Sequence, residues 1–133
     1  MLIEIPRHYK KILVTGGAGF IGGCLIRKIL NMSEGEIFNI DKFGYASDLT
    51  GIDKEIERIG NQSHKRHHLI KIDISNKKLL SETIKRINPD LVFHLAAESH
   101  VDRSISGPDV FIKSNIIGTF NLLEVLRNHF ASL

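Results

Sequence analysis

The glycines at 16, 17, 19 and 22, set between the β-branched stretch Lys11–Thr15 and the apolar stretch Phe20–Met32, constrain this chain more than any other feature. A strand that passes through glycines straight into a helix can turn tightly, approach another group with its backbone, and pack helix against strand with no side chain between. Two spacings are satisfied together: Gly17, Gly19 and Gly22 fit GxGxxG, while Gly16, Gly19 and Gly22 fit GxxGxxG. The helix start that follows would offer amides and the positive end of its dipole, an arrangement that suits phosphate.

The rest of the chain repeats the strand-then-helix rhythm. Glu36–Ile40, His68–Ile72 and Leu91–Leu95 read as further short strands. Phe20–Met32, Ser47–Ile59, Lys77–Ile87 and Asp109–His129 read as helices, the last capped by Asp109, with Val110, Phe111, Ser114, Ile117 and Leu122 to Leu126 on or near one face. Breaks fall at Gly35, Gly60-Asn61, Asn88-Pro89-Asp90 and Gly107-Pro108. Such alternation predicts an α/β fold: a partial Rossmann fold whose parallel sheet has the order 3-2-1-4, flanked by helices, in a single domain over 1–133.

Composition narrows the function classes. With 42% hydrophobic and 25% charged residues the chain can build a core, which excludes wholesale disorder. A net charge of +3, scattered along the chain, argues against nucleic-acid binding. The cluster His64-Lys65-Arg66-His67-His68 has no Cys or carboxylate at ligand spacing and reads as a solvated loop rather than a metal site. Cys24 stands alone, so it reads as a small core residue in a chain of the reducing cytoplasm. Met1–Tyr9 has no apolar run of a signal peptide, and no stretch reaches membrane-spanning length.

Behind a phosphate loop, other positions gain meaning. Asp41 ends the second strand, where a carboxylate accepts from the adenosine ribose hydroxyls and repels a 2′-phosphate, so NAD is favoured over NADP even with Lys42 beside it. Asp73-Ile74, after the third strand, suits the adenine amino group and ring face. The stretch HLAAESHVDRS at 94–104 follows the fourth strand and borders the nicotinamide half of the cofactor. There Leu95, Ala96 and Ala97 allow close backbone approach, and Ser99 points to substrate. A Ser-His-Asp triad is disfavoured, because Ser99 and His100 are adjacent and diverge, and no GxSxG elbow is present.

The segments ILVTGGAGFIG, NIDKFGYASDL, DI, HLAAESHVDRS and SNIIGT occur in an order that resembles the dTDP-glucose 4,6-dehydratase family of extended short-chain dehydrogenases. The resemblance implies that Gly16, Gly19, Phe20, Ile21 and Gly22 line the pyrophosphate turn and that Asp41, Lys42, Phe43 and Gly44 hold adenosine. It further implies that Asp73 and Ile74 flank adenine, that Leu95, Ala96, Ala97 and Ser99 border nicotinamide and substrate, that Ser114 touches the cofactor, and that Asn115 ties the final helix to the loop after the fourth strand. Gly23 replaces a common Ser, and Phe43-Gly44 with Ser47-Asp48 departs from the family pattern.

The implied reaction is an internal redox dehydration of a nucleotide sugar, with a nucleotide-sugar substrate and NAD as cofactor. It needs a Tyr-x-x-x-Lys pair and an Asp-Glu pair. Tyr9 and Tyr45 are each followed four positions later by a residue other than lysine, so no catalytic residue is assigned. The chain is therefore expected to be the N-terminal, NAD-binding portion of such an enzyme, inactive alone and self-associating through the uncovered edge of its fourth strand with its apolar faces. A non-catalytic NAD-binding module and a UDP-sugar 4-epimerase fragment are the alternatives.

Overall fold

A computed structural model describes residues 5, 6 and 8–133. The expectation about a signal peptide at Met1–Tyr9 rests partly on residues 1–4 and 7, which lie outside the described residues. By its contacts the chain divides into two compact units, Met1–Lys71 with Pro89–Leu95, and Ile72–Asn88 with Ala96–Leu133.

The first unit holds the whole sheet: β1 (Lys11–Thr15), β2 (Glu36–Asp41), β3 (His67–Lys71) and β4 (Leu91–His94), all parallel in the expected order β3-β2-β1-β4. Ile12, Leu13 and Val14 of β1 are fully buried, as an unbroken apolar run at the centre of a parallel sheet should be. Asp90 sets the register at one end of β1 and β4, its carboxylate accepting from the amides of Lys10 (2.8 Å) and Lys11 (3.0 Å). Helices α1 (Phe20–Met32) and α2 (Thr50–Ile59) pack on each other. Ile26, Ile29, Leu30 and Ile52 meet Ile12, Val14 and Ile37 in one core. The Arg66 guanidinium closes the end of α1, donating to the carbonyls of Leu30 (2.9 Å) and Ser33 (2.7 Å), where the dipole favours a cation.

Two expectations fail here. Cys24 is exposed rather than in the core, because the buried stripe of α1 runs through Gly22, Gly23, Ile26, Ile29 and Leu30 and leaves position 24 outside it. His67 is not part of a solvated loop; it starts β3 one residue ahead of His68, where the strand was expected to begin. The ladder to β2 begins at Ile37↔His67, and His68 stacks on Phe38 at 4.9 Å and bonds Glu36 at 2.9 Å.

The second unit is helical: α3 (Lys77–Ile87), α4 (Val101–Ser106), α5 (Pro108–Phe111), a π-helical segment (Ile112–Gly118) and α6 (Thr119–Ala131). Asn76 caps α3 by accepting from the Leu79 amide at 3.2 Å, and α3 packs on α6. The single final helix expected from the sequence is thus three consecutive helical pieces, preceded by a short helix where the sequence predicts a loop. Gly107 takes the cap position and Asp109 lies within the first turn, because Pro108 begins the helix. The buried face runs through Ser114, Gly118, Asn121, Leu122 and Val125, whereas Val110 and Ile117 are exposed.

Candidate functional site

The loop from Gly16 to Gly22 is closed by its own backbone. Gly16 adopts φ 72°, a left-handed conformation that favours glycine, and its carbonyl accepts from the Gly19 amide at 3.1 Å. A Cβ on Gly22 would stand 2.1 Å from the Gly16 oxygen and 2.8 Å from the Gly17 Cα, so backbone fills the space a side chain would need. Gly17 is equally restricted, its Cβ position lying 2.2 Å from Asn39 Oδ1. Both glycine spacings therefore have a steric basis. Helix α1 starts at Phe20 with no side chain capping it, leaving its first amides for a ligand, while Phe20 (94% exposed) and Ile21 (67%) project outward.

Asp41 sits at the end of β2 as expected, but the structure gives its carboxylate work within the protein. Oδ2 accepts from the Ala18 amide at 3.0 Å; Oδ1 accepts from the Phe43 amide at 2.8 Å and the Ser47 hydroxyl at 3.2 Å. The Asp48 amide donates to the Ala18 carbonyl at 2.8 Å, so Ala18 is held to the 41–48 stretch through both of its backbone groups. Phe43, a bulky residue, adopts φ 60°, a conformation that L residues avoid and that active and binding sites often store. Lys42 is half-buried and Gly44 exposed. Ser47, in sequence only a departure from the family pattern, supplies through its hydroxyl a further donor to Asp41.

Beneath the loop, two further side-chain contacts went unread. Thr15 Oγ1 lies 2.6 Å from His94 Nδ1 and accepts from the Leu95 amide at 3.1 Å, fixing the start of the stretch after β4. Desolvation pushes the His94 imidazole below its ordinary pKa. On the other side, Asn39 Nδ2 lies 3.3 Å from His67 Nε2. Neither pair carries a sequence motif, since each joins residues from different strands.

In the second unit, Asp73 closes a turn by accepting from the Ser75 amide at 2.9 Å. The Ile74 side chain is buried, and a Cβ on Gly118 would stand 2.6 Å from it. Its carbonyl accepts from Asn121 Nδ2 at 3.2 Å. Ala96 is half-buried; Ala97 and Ser99 are exposed; Ser114 is buried within the π-helical segment, a distortion that frequently marks functional sites. Asn115 binds the loop after β4 as the resemblance implied, accepting from the Glu98 amide at 2.8 Å and donating to its carbonyl at 2.9 Å.

Comparison with known proteins accords with this geometry. A dTDP-glucose 4,6-dehydratase of Haemophilus influenzae is 45% identical over 122 residues, covering 92% of this chain and 34% of that protein. A crystal structure of a dTDP-glucose 4,6-dehydratase from Streptomyces venezuelae, with NAD bound, superposes with a TM-score of 0.76 at 33% identity over 89% of this chain and 36% of that one. The UDP-Glc/GlcNAc 4-epimerase of Campylobacter jejuni reaches the same TM-score of 0.76 at 25% identity, over 90% of this chain and 34% of that one. This chain thus spans about a third of the length of the curated relatives it matches. Because the family model for GDP-mannose 4,6 dehydratase matches residues 13–132, almost the whole sequence, the chain belongs to that family.

Proposed function

We propose that this chain forms the NAD-binding portion of a nucleotide-sugar 4,6-dehydratase acting on dTDP-glucose, a portion inactive by itself. The observation that carries the reading is the Gly16–Gly22 loop, where backbone occupies the Cβ position of Gly22 and an uncapped helix start follows. That cradle fits a pyrophosphate: no side chain caps the helix start, so its amides and dipole are left for an anion. When bound, NAD supplies the hydride acceptor, while the residues here bind and orient.

In this reading Gly16, Gly19, Phe20, Ile21 and Gly22 line the pyrophosphate, and Asp41, Lys42, Phe43 and Gly44 hold adenosine. Asp41 already accepts three protein bonds, so the ribose takes the remaining lone pair or replaces Ser47, whose bond is the longest at 3.2 Å. Asp73, Ile74, Leu95, Ala96, Ala97, Ser99 and Ser114 are assigned to the cofactor on sequence position, with Ser99 also facing substrate. With the Ile74 side chain buried and its carbonyl already accepting from Asn121, this residue can offer adenine only its amide or the second lone pair of that carbonyl. The lone Cys24 fits a cytoplasmic enzyme, and no described helix is long and apolar enough to cross a membrane.

Self-association belongs to the same reading. Ile112, Ile116, Phe120 and Leu123 repeat at helical spacing and are all more than half exposed, an apolar row that favours burial against another surface. Sedimentation of the purified chain tests it, and a monomer at high concentration counts against it.

The epimerase reading has equal fold similarity in its favour. The dehydratase is preferred for the 45% identity and for the AAESHVDRS stretch. Calorimetric titration with NAD, NADP and dTDP-glucose tests the proposal. Saturable NAD binding stronger than NADP binding is expected, and an Asp41→Asn variant that keeps the fold should narrow the preference. A folded chain that releases no heat with NAD would refute the assignment.

A further inference from the structure

We propose that Asn39 is a positioning residue for the phosphate loop and that the protonation state of His67 sets the orientation of its amide; this rests on reading the loop as a dinucleotide site.

Asn39 occupies a central position of β2, paired to Val14 on one side and Leu69 on the other, and is fully buried. Burying a carboxamide there is costly unless both of its ends find partners. Only one does: Nδ2 meets His67 Nε2 at 3.3 Å, and Oδ1 is the buried side-chain polar atom without a partner among the described residues. An apolar side chain would leave no polar atom unsatisfied there, so packing does not account for the amide. The orphaned oxygen is directed at Gly17, whose Cβ position lies 2.2 Å from Oδ1 and 2.5 Å from Cγ, with Ile26 Cδ1 at 2.4 Å completing the wall. The amide therefore lies directly against the phosphate-loop backbone.

Donation from Nδ2 to Nε2 requires a lone pair on Nε2, hence a neutral imidazole protonated at Nδ1. A second proton makes both ring nitrogens donors, and two donors then face each other. Rotating the amide relieves the conflict: Oδ1 turns to accept from Nε2, and the NH2 group turns onto Gly17. Because the space beside Gly17 is filled, the loop backbone must shift to admit the exchanged group. Burial disfavours the charged ring and is the largest influence on His67; the Asp53 carboxylate of α2 opposes it, and His68 in β3 adds to it. Neutral His67 is accordingly the form that holds the loop in the arrangement described here.

The test is an NMR titration of the intact free chain from pH ~8 to ~5, followed by NAD titrations across the same range. The Gly17 backbone amide and the Asn39 side-chain amide should move with one midpoint, equal to that of the His67 ring and below the ordinary 6.5. His67→Gln should abolish both movements, while His94→Gln should leave them. Asn39→Leu, which keeps the branched heavy-atom skeleton and removes the amide, should silence Gly17 while His67 still titrates. NAD affinity should fall roughly three- to tenfold on passing below the midpoint, the worth of one buried hydrogen bond, and should be flat in His67→Gln. A Gly17 amide that ignores His67, or that responds unchanged in His67→Gln or Asn39→Leu, overturns the proposal whether or not NAD binds. Cotitration in a chain that binds no NAD at any pH would uphold the coupling and refute the dinucleotide reading on which its purpose rests.

Discussion

The phosphate loop and the turns of the second unit reach ordered backbone by opposite means. In the loop, side chains are removed: Gly16 turns through a left-handed conformation, and Gly22 brings its Cα against the Gly16 carbonyl. In the second unit, side-chain amides close the structure, Asn115 bridging both backbone groups of Glu98 and Asn121 reaching the carbonyls of Ile74 and Ser75. The contrast follows from what each must do. A surface that grips an anion needs its amides bare, whereas a loop that only needs a shape can spend side chains on holding it.

The sharpest way to break this contrast is to put one methyl group into each region. Gly22→Ala drives a Cβ into backbone that cannot move aside, and should cost about 3 kcal/mol or more together with NAD binding, read by denaturant unfolding and calorimetry. Gly118→Ala meets the Ile74 side chain instead, which can give way, and the substitution gains helix propensity; a net loss of about 1–2 kcal/mol is expected. Adding Ile74→Ala to Gly118→Ala should recover part of the clash, visible as a coupling term in a double-mutant cycle. No second-site partner of that kind exists for Gly22, because its obstacle is main chain.

Asn115→Ala probes the other half of the comparison. It leaves the Glu98 amide and carbonyl without their side-chain partners and should cost about 1–2 kcal/mol, with faster exchange of the Glu98 amide and an unaltered phosphate loop. The smallest effect is expected from His94. Its folded-state pKa lies below the ordinary 6.5 because desolvation disfavours the imidazolium. As pH falls, the unfolded chain takes up this proton first. Its stabilising contribution is therefore complete above about 6.5 and declines as pH drops through 6.5 towards the folded value. His94→Gln should flatten that part of the stability profile. An unchanged slope would assign it to His67, which is shifted in the same direction for the same leading reason.

Much of the first unit was legible in the sequence. The strand boundaries of β1 and the whole of α1 coincide with the expected ranges, and the sheet order follows from right-handed crossovers. Helix α4 does not show in the sequence because it has six residues and buries none of them, so the single apolar pair Val101 and Ile105 is too short a pattern to establish a helical period. The π-helical segment was missed because its hydrogen bonds shift by one residue without disturbing the apolar pattern enough to show. Cys24 was misplaced by composition alone: cysteine is usually buried, but helix phase decides, and position 24 falls on the open side of α1.

What the sequence determined by itself was everything carried by local spacing: the glycine turn, the alternation of strand and helix, the carboxylate at the end of β2, and the family to which these belong. Only the tertiary structure decided how the polar groups are shared. Asp41 holds Ala18, Phe43 and Ser47; Thr15 meets His94; Asn39 sets its amide between His67 and Gly17. The physical reason is that a hydrogen bond between strands joins residues far apart in the chain. Its partners are fixed by sheet register and by which buried groups remain unsatisfied, and neither is written in the spacing of any one segment.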